Sequence, residues 1–202
     1  MHITKYDHAP RLPEGETVDL DTLVAGGGGV FLEVGPGRGG FALSYAAQHP
    51  ATRFVAMEIR RKLAAVLDER LQKKGFAHAR CFAEDAGLAL PRLRPDGCVV
   101  GAAVHFPDPW WKKRHAKRLV VQDSFLAELA RLMAPGALLL VQTDVEDRAA
   151  EYFERLAACA ALENTVEGMF AEESPFAPAR SNREARAMED GLPIYRMVFR
   201  KR

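Results

Sequence analysis

The chain has 202 residues, of which 48% are hydrophobic and 27% charged, a mixture that suits one globular domain with a substantial core. Its formal net charge is only +1, so binding to nucleic acid would have to rest on local basic clusters. The three cysteines form no Cys-x-x-Cys pair, the polar N-terminus is unlike a signal peptide, and no apolar run reaches the roughly 20 residues of a membrane span. We therefore expect a cytoplasmic protein with reduced cysteines and no membrane partner.

Hydrophobic periodicity divides the chain into an arm, residues 1–29, and a single domain, residues 30–202. Within the domain, short apolar runs alternate with segments of helical spacing. The predicted strands of this alternating part are Val30–Val34, Arg53–Met57, Ala79–Ala83, Cys98–Phe106 and Ala137–Gln142. The predicted helices are Phe41–Gln48, Ile59–Lys74, Ala86–Leu93, Gln122–Met133 and Glu146–Ala160.

Two more strands are expected near the C-terminus, Glu163–Met169 and Ile194–Arg200, joined by a long loop rather than a helix. The whole pattern predicts an α/β fold with a Rossmann-like, mostly parallel sheet, helices on both faces and an antiparallel C-terminal edge. Ligands of such sheets bind at the carboxyl ends of the strands. A site is therefore expected where the predicted strands end.

A glycine-rich turn follows the first predicted strand. Gly35, Gly37 and Gly39 come directly after Glu33-Val34, and glycines there allow the backbone to approach a ligand closely. The spacing of Gly35, Gly37 and Gly40 also matches a dinucleotide-binding fingerprint. The glycines alone therefore do not decide between a dinucleotide and another ligand.

Three carboxylates at strand ends favour S-adenosylmethionine as the cofactor. Glu33 would repel a diphosphate but would attract the ammonium group of a methionine moiety. Glu58 could accept the hydroxyl groups of a ribose, as an acid at this position also does in NAD enzymes, and Asp85 could accept a proton from an adenine amino group. Together with Gly35 and Gly37, these acids fit a nucleoside with a cationic amino-acid tail better than they fit a dinucleotide.

A proline-flanked acid and a basic run follow the fourth predicted strand. Pro107 and Pro109 restrict the backbone around Asp108, and Trp110 and Trp111 come next, suited either to core packing or to base stacking. Five of the seven residues 112–118 are Lys or Arg. Such a run is often only a solvated helix start, but cations at a helix N-terminus oppose the helix dipole, which favours a role in phosphate binding.

The stretch Pro107-Asp108-Pro109-Trp110, with Lys112 and the basic run after it, resembles the bacterial tRNA (guanine-N7)-methyltransferases. The resemblance extends from about residue 30 to the end of the chain. It includes the glycine turn and Thr143-Asp144. The family's late Thr-x-aromatic-Glu motif is similar to Ser181-Asn182-Arg183-Glu184, in which arginine stands in place of the aromatic residue.

The resemblance implies methyl transfer from S-adenosylmethionine to N7 of a tRNA guanosine, in the variable loop at nucleotide 46. It implies that Asp108 is the catalytic acid residue and also contacts the cofactor. It implies substrate contacts at Lys112, Asp144, Ser181 and Glu184. The basic residues expected to bind the RNA are Lys113, Arg114, Lys117 and Arg118.

Guanine N7 carries a lone pair and no proton, so the reaction needs alignment and charge stabilisation rather than a general base. Asp144 could alternatively cap the helix that follows it. The six histidines lack the spacing of metal ligands, so no metal is expected, and monomer and homodimer both remain open. Three other functions remain: a methyltransferase with another acceptor, a non-catalytic RNA-binding relative, and a nicotinamide oxidoreductase.

Overall fold

The computed structural model describes residues 6–107 and 119–202. Within these residues the strands are β1 (Val18–Asp19), β2 (Val30–Val34), β3 (Arg53–Met57), β4 (Ala79–Phe82), β5 (Leu93–Arg94), β6 (Val99–His105), β7 (Met133–Thr143), β8 (Leu162–Asn164) and β9 (Tyr195–Lys201). The α-helices are α1 (Leu20–Leu23), α2 (Gly40–Gln48), α3 (Arg61–Lys73), α4 (Ala86–Ala89), α5 (Asp123–Leu132), α6 (Glu146–Ala158) and α7 (Asn182–Glu189). A 3₁₀ turn covers Leu90–Arg92.

Seven strands form one sheet in the order β4-β3-β2-β6-β7-β9-β8. The strands from β4 to β7 are parallel, and β9 runs antiparallel to both β7 and β8. This confirms the predicted fold class, including its antiparallel C-terminal edge. The short strands β1 and β5 form a separate parallel pair.

Helices cover both faces of the sheet, and each face has its own apolar core. Helices α2 and α3 pack on one face, where Phe31, Phe41 and Phe54 are buried. Helices α4, α5 and α6 pack on the other, against Leu32, Val104 and neighbouring aliphatic residues. Because both faces are covered, the central strands are apolar at almost every position, as in other buried parallel sheets.

The prediction of a loop between the last two strands was wrong, because helix α7 lies there. Ser181 begins the helix, and its Oγ accepts a hydrogen bond of 3.1 Å from the backbone N–H of Glu184. Glu184 and Ala187 lie on the buried side. A Ser-x-x-Glu pattern marks helix starts, so the sequence did contain a signal for this helix.

The ends of several other elements also differ from the predictions. β7 begins four residues earlier than expected, and β8 ends at Asn164 rather than at Met169. The segment predicted as one helix from residue 86 instead forms α4, a 3₁₀ turn and β5. No helix within residues 6–107 and 119–202 is long and apolar enough to cross a membrane.

The described part of the arm packs on the domain. Val18, Leu20 and Val24 join the apolar core on the face of α4, α5 and α6. Nearer the N-terminus, the carbonyl of Pro10 accepts a 2.7 Å hydrogen bond from the N–H of Ala83, at the end of β4. The arm therefore touches the edge of the sheet at which a ligand site is expected.

Candidate cofactor and acceptor site

The glycine turn joins β2 to α2 and is held against β3. The N–H of Gly35 donates to the carbonyl of Met57 at 2.9 Å, and Gly35, Gly37 and Gly39 all have positive φ. A side chain at Gly39 would also meet Leu67, since an added Cβ would lie 2.1 Å from its Cδ1. Backbone conformation and close packing both require glycine here, so the turn leaves its backbone open to a ligand.

Glu33 has a buried carboxylate without a partner. The residue is 0% exposed, and neither carboxylate oxygen has a hydrogen-bond partner among the described residues. Burial, together with the charge of Glu58, raises the pKa of Glu33 well above its usual value. A buried carboxylate without a donor is costly, so this group fits a cationic ligand such as an ammonium group.

His105, at the end of β6, faces Glu33 with a side chain that is able to donate. Its Nε2 lies 3.4 Å from Oε1 of Glu33, a contact that is not a hydrogen bond in this structure, and both side chains are buried. Burial lowers the pKa of His105 to about 3, so the imidazole is neutral at physiological pH. A neutral histidine does not cancel the charge of Glu33.

Glu58 is buried at the end of β3, and its lone pairs are occupied. It accepts the N–H of Gly37 at 3.0 Å, and the N–H of Arg60 at 3.0 Å. The Nε and Nη2 atoms of Arg60 donate to it at 2.9 and 3.2 Å. A carboxylate has about four acceptor positions, so ribose hydroxyl groups would have to replace the guanidinium of Arg60.

Asp85 is exposed and begins helix α4. One of its oxygens accepts the N–H of Gly87 at 2.9 Å, an N-cap contact. The neighbouring Glu84 is held by the arm, because it accepts Nε of Arg11 at 2.8 Å and the N–H of Leu12 at 3.0 Å. The arm therefore fixes the backbone beside Asp85.

Two exposed apolar side chains near these acids did not enter the sequence-based site. Ile59 follows Glu58 and is 66% exposed, while Leu88 lies in α4 and is 75% exposed. A large apolar residue directly after a strand-end acid was the available signal. Exposed apolar side chains at a ligand-binding edge are suited to cover the faces of an aromatic ring.

Asp144, which follows β7, is paired with Arg183 of α7. Its Oδ2 accepts Nε of Arg183 at 2.8 Å and Nη2 at 2.5 Å. The N-cap residue of helix α6 is instead Val145, whose side chain makes no capping bond, so the alternative role of Asp144 as a helix cap was wrong. The structure thus joins the two residues that the motifs singled out separately.

Ser181 and Glu184 have structural partners. Ser181 caps α7, as described above, and is buried. Glu184 accepts Nη2 of Arg196 at 2.9 Å and Nε2 of Gln142 at 3.1 Å, and its side chain is almost fully buried. These bonds occupy the Glu184 carboxylate, and Gln142 and Arg196 are partners that the motif analysis missed.

The predicted catalytic residue and basic run lie outside the described residues. They are Asp108, Lys112, Lys113, Arg114, Lys117 and Arg118. Phe106, which precedes this segment, has a φ of 46°, rare for a residue with a side chain, and its N–H donates to the carbonyl of Gln142 at 2.8 Å. Such strained backbone is frequent at functional sites.

Residues 6–107 and 119–202 contain no group of three or more His, Cys, Asp or Glu side chains placed to hold a metal ion. The features that these residues do bring together at one sheet edge are the glycine turn, the carboxylates of Glu33 and Glu58, and the Asp144–Arg183 pair. They suit a nucleoside with a cationic tail better than they suit a metal complex.

Comparison with solved structures agrees with this fold. The 16S rRNA methyltransferase KamB superposes with a TM-score of 0.60 at 18% identity, over 86% of this chain and 88% of that one. TrmN from Thermus thermophilus gives 0.61 at 19% identity, over 88% of this chain and 45% of that one. At this level of identity the likeness concerns the fold alone.

Sequence comparison finds relatives at higher identity, which show the family as well as the fold. Residues 28–197 match the family model described as "Putative methyltransferase". The tRNA (guanine-N(7)-)-methyltransferase of Myxococcus xanthus is 37% identical over 180 residues, 88% of this chain and 86% of the relative. That of Anaeromyxobacter dehalogenans is 41% identical over 171 residues, 85% of each chain. The resemblance drawn from the motifs is thereby confirmed, and the chain belongs to the family of the bacterial tRNA (guanine-N7)-methyltransferases.

Proposed function

We propose that this protein transfers a methyl group from S-adenosylmethionine to N7 of a guanosine in tRNA. The observation that carries the proposal is Glu33, a buried carboxylate beside a glycine turn with no hydrogen-bond partner in the part of the chain that the structure describes. The methionine moiety of the cofactor has the ammonium group that such a carboxylate requires. Family membership supplies the acceptor, and the finer assignment is to the variable-loop guanosine, nucleotide 46 of the tRNA.

The cofactor would lie along the carboxyl ends of β2, β3 and β4. Gly35 and Gly37 would line its amino-acid portion and Glu58 would accept the ribose hydroxyl groups once Arg60 withdraws. Asp85 would receive the adenine amino group, with its other oxygen kept on the helix cap. The apolar side chains of Ile59 and Leu88 would cover the adenine ring.

The bound cofactor would supply a methyl group on a sulfonium sulfur. The carbon of that methyl group is electrophilic without further activation. Because guanine N7 already carries a lone pair, the protein needs to align the base and stabilise the positive charge that the base acquires. Asp108 is proposed for this task. Asp144 would contact the guanine edge while Arg183 holds it, and Lys112, Ser181 and Glu184 remain proposed substrate residues.

The basic run would hold the tRNA backbone. Its members Lys113, Arg114, Lys117 and Arg118 follow the proposed catalytic residue directly, so phosphates bound there would bring the base to the cofactor. A tRNA substrate also makes the cytoplasm the proposed place of action.

The test uses purified protein, S-adenosylmethionine and an unmodified tRNA transcript, followed by digestion and mass spectrometry of the nucleosides. We expect 7-methylguanosine, and we expect its loss when the variable-loop guanosine is replaced by adenosine. Asp108→Ala should bind the cofactor but form less than a tenth of the product. Methylation of a different nucleoside would instead identify another acceptor, and absence of any methylation would contradict the proposal.

A further inference from the structure

A row of polar side chains crosses four neighbouring strands of the sheet. Glu33 of β2 is in register with Ala103 of β6, and His105 lies two residues further along that strand on the same face. His105 is in register with Gln142 of β7, which is in register with Arg196 of β9. We call Glu33, His105, Gln142 and Arg196 the polar row.

The polar row lies directly beyond the apolar core on the face of α2 and α3. The residue two positions away on each strand belongs to that core, and these residues are Phe31, Ala103, Leu140 and Val198. On β6, β7 and β9 the change from apolar to polar therefore falls at the same level, and on β2 it falls one step earlier, because Glu33 is in register with Ala103. Glu33, His105 and Gln142 are buried, and burying polar groups is costly unless they are hydrogen-bonded.

Hydrogen bonds connect the polar row to α7. Nε2 of Gln142 lies 3.1 Å from Oε2 of Glu184 and 3.0 Å from Nδ1 of His105. Since a carboxylate only accepts, the amide nitrogen must face Glu184, and its second N–H is available to His105. Nδ1 of the neutral imidazole is then the acceptor, so the ring proton lies on Nε2, which faces Glu33.

The charges within the row are unequal. Glu184 is paired with Arg196, whereas His105 and Gln142 are neutral. Glu33 thus has no positively charged partner within the row. A cation in place of His105 would neutralise Glu33 and compete with a ligand, whereas a neutral N–H can orient the carboxylate without competing for its charge.

We propose that His105 and Gln142 are positioning residues of the cofactor site. Glu184 fixes Gln142, Gln142 fixes His105, and the N–H of His105 keeps the Glu33 carboxylate turned toward the ammonium group of the cofactor. The proposal rests on the proposed function, since it requires an amino-acid tail on the ligand. Neither residue needs to touch the cofactor. Their effect should therefore depend on whether the ligand has an ammonium group.

The experiment compares two ligands by isothermal titration calorimetry with the full chain. S-adenosylhomocysteine has the amino-acid tail, and 5′-methylthioadenosine has the same nucleoside without it. The ratio of the two dissociation constants reports on the ammonium site. Because both ligands bind the same folded protein, a loss of folded fraction in a variant cancels in this ratio.

Matched substitutions at His105 separate the donor from the ring. The amide nitrogen of glutamine is as many bonds from Cα as Nε2 of histidine, whereas that of asparagine corresponds to Nδ1. His105→Gln therefore keeps a donor facing Glu33, and His105→Asn does not. Gln142→Met removes both hydrogen bonds of the amide, and Gln72→Met, which removes a bond to the carbonyl of Ala79, is the control.

We expect His105→Asn and Gln142→Met to weaken S-adenosylhomocysteine binding by about tenfold, and 5′-methylthioadenosine binding by no more than about twofold. Gln72→Met should keep the wild-type ratio, and His105→Gln, which keeps the donor but lacks the Nδ1 acceptor for Gln142, should lose less of it than His105→Asn. Equal losses for both ligands, or equal behaviour of His105→Gln and His105→Asn, would overturn the positioning role. Failure of the wild-type protein to bind S-adenosylhomocysteine at all would instead contradict the proposed function, and the positioning role would fall with it.

Discussion

Replacing Glu33 by glutamine should stabilise the ligand-free protein and at the same time weaken cofactor binding. The substitution keeps the size of the side chain but removes a charge that is fully buried and has no hydrogen-bond partner among the described residues. Functional groups that bind ligands often reduce stability in this way. The two effects have opposite signs, so a general disturbance of the fold would not imitate them.

The stability gain can be bounded from the cost of burying an unpaired ion, which is several kcal/mol before any protonation. Because the pKa of Glu33 is raised, part of this cost is avoided by proton uptake, and we expect a gain of about 1–3 kcal/mol at neutral pH. For a chain of this length, 1 kcal/mol corresponds to roughly 2–4 °C in Tm. Tm of Glu33→Gln should therefore rise by roughly 2–12 °C.

The pH dependence has a definite sign. Glu33 has a higher pKa in the folded protein than in the unfolded chain, where it stays near its ordinary value of 4.5. Its contribution to stability is therefore fully present below that value and is lost as pH rises through the folded pKa. The Tm difference between Glu33→Gln and wild type should be small near pH 4 and should increase toward neutral pH.

Binding should change in the opposite direction. Loss of a charge-assisted hydrogen bond costs about 1.5–3 kcal/mol, so the affinity for S-adenosylhomocysteine should fall by about 10- to 150-fold. Differential scanning fluorimetry and calorimetry measure the two effects, with Glu163→Gln, an exposed acid near Arg200, as the control. A lower Tm together with unchanged affinity would refute the assignment of Glu33 as the ammonium site.

Three further predictions concern the rest of the site. Arg60→Ala should tighten cofactor binding by about two- to fivefold, because the largely exposed guanidinium of Arg60 no longer competes with the ribose for the buried Glu58. Unchanged or weaker binding in calorimetry would contradict this. Arg183→Leu should raise KM for tRNA while the cofactor Kd stays constant, because Arg183 holds Asp144. An unchanged KM in methylation kinetics would show that Arg183 has no role in binding the tRNA substrate. Charge reversal within the basic run, at Lys113, Arg114, Lys117 and Arg118, should reduce the salt dependence of tRNA binding in a filter assay. A salt dependence equal to that of the wild type would indicate that the run is an ordinary solvated surface.

The parts of the fold that sequence predicted well are those specified by local signals. The strands Val30–Val34 and Arg53–Met57 agree with the structure residue for residue, because strands buried on both faces are continuous apolar runs bounded by turns. The antiparallel C-terminal edge was also predicted correctly. Helix α7 was missed although its Ser-x-x-Glu start was visible, since only two of its eight residues are buried and five of the eight are polar.

The sequence by itself determined the composition of the site: a glycine turn after one strand, acids at the ends of the strands, and motifs that identify the family. Only the tertiary structure decided which of these groups are available to a ligand. The bonds of Gln142 to His105 and Glu184 join residues 37 and 42 positions apart, and the pair of Arg183 with Asp144 spans 39. Such partners depend on strand register and on where α7 packs, which no local pattern encodes. For that physical reason Glu33 and Glu58, which look alike in the sequence, differ in the fold: Glu33 is buried with no hydrogen bond from residues 6–107 or 119–202, and Glu58 is already bonded to Arg60.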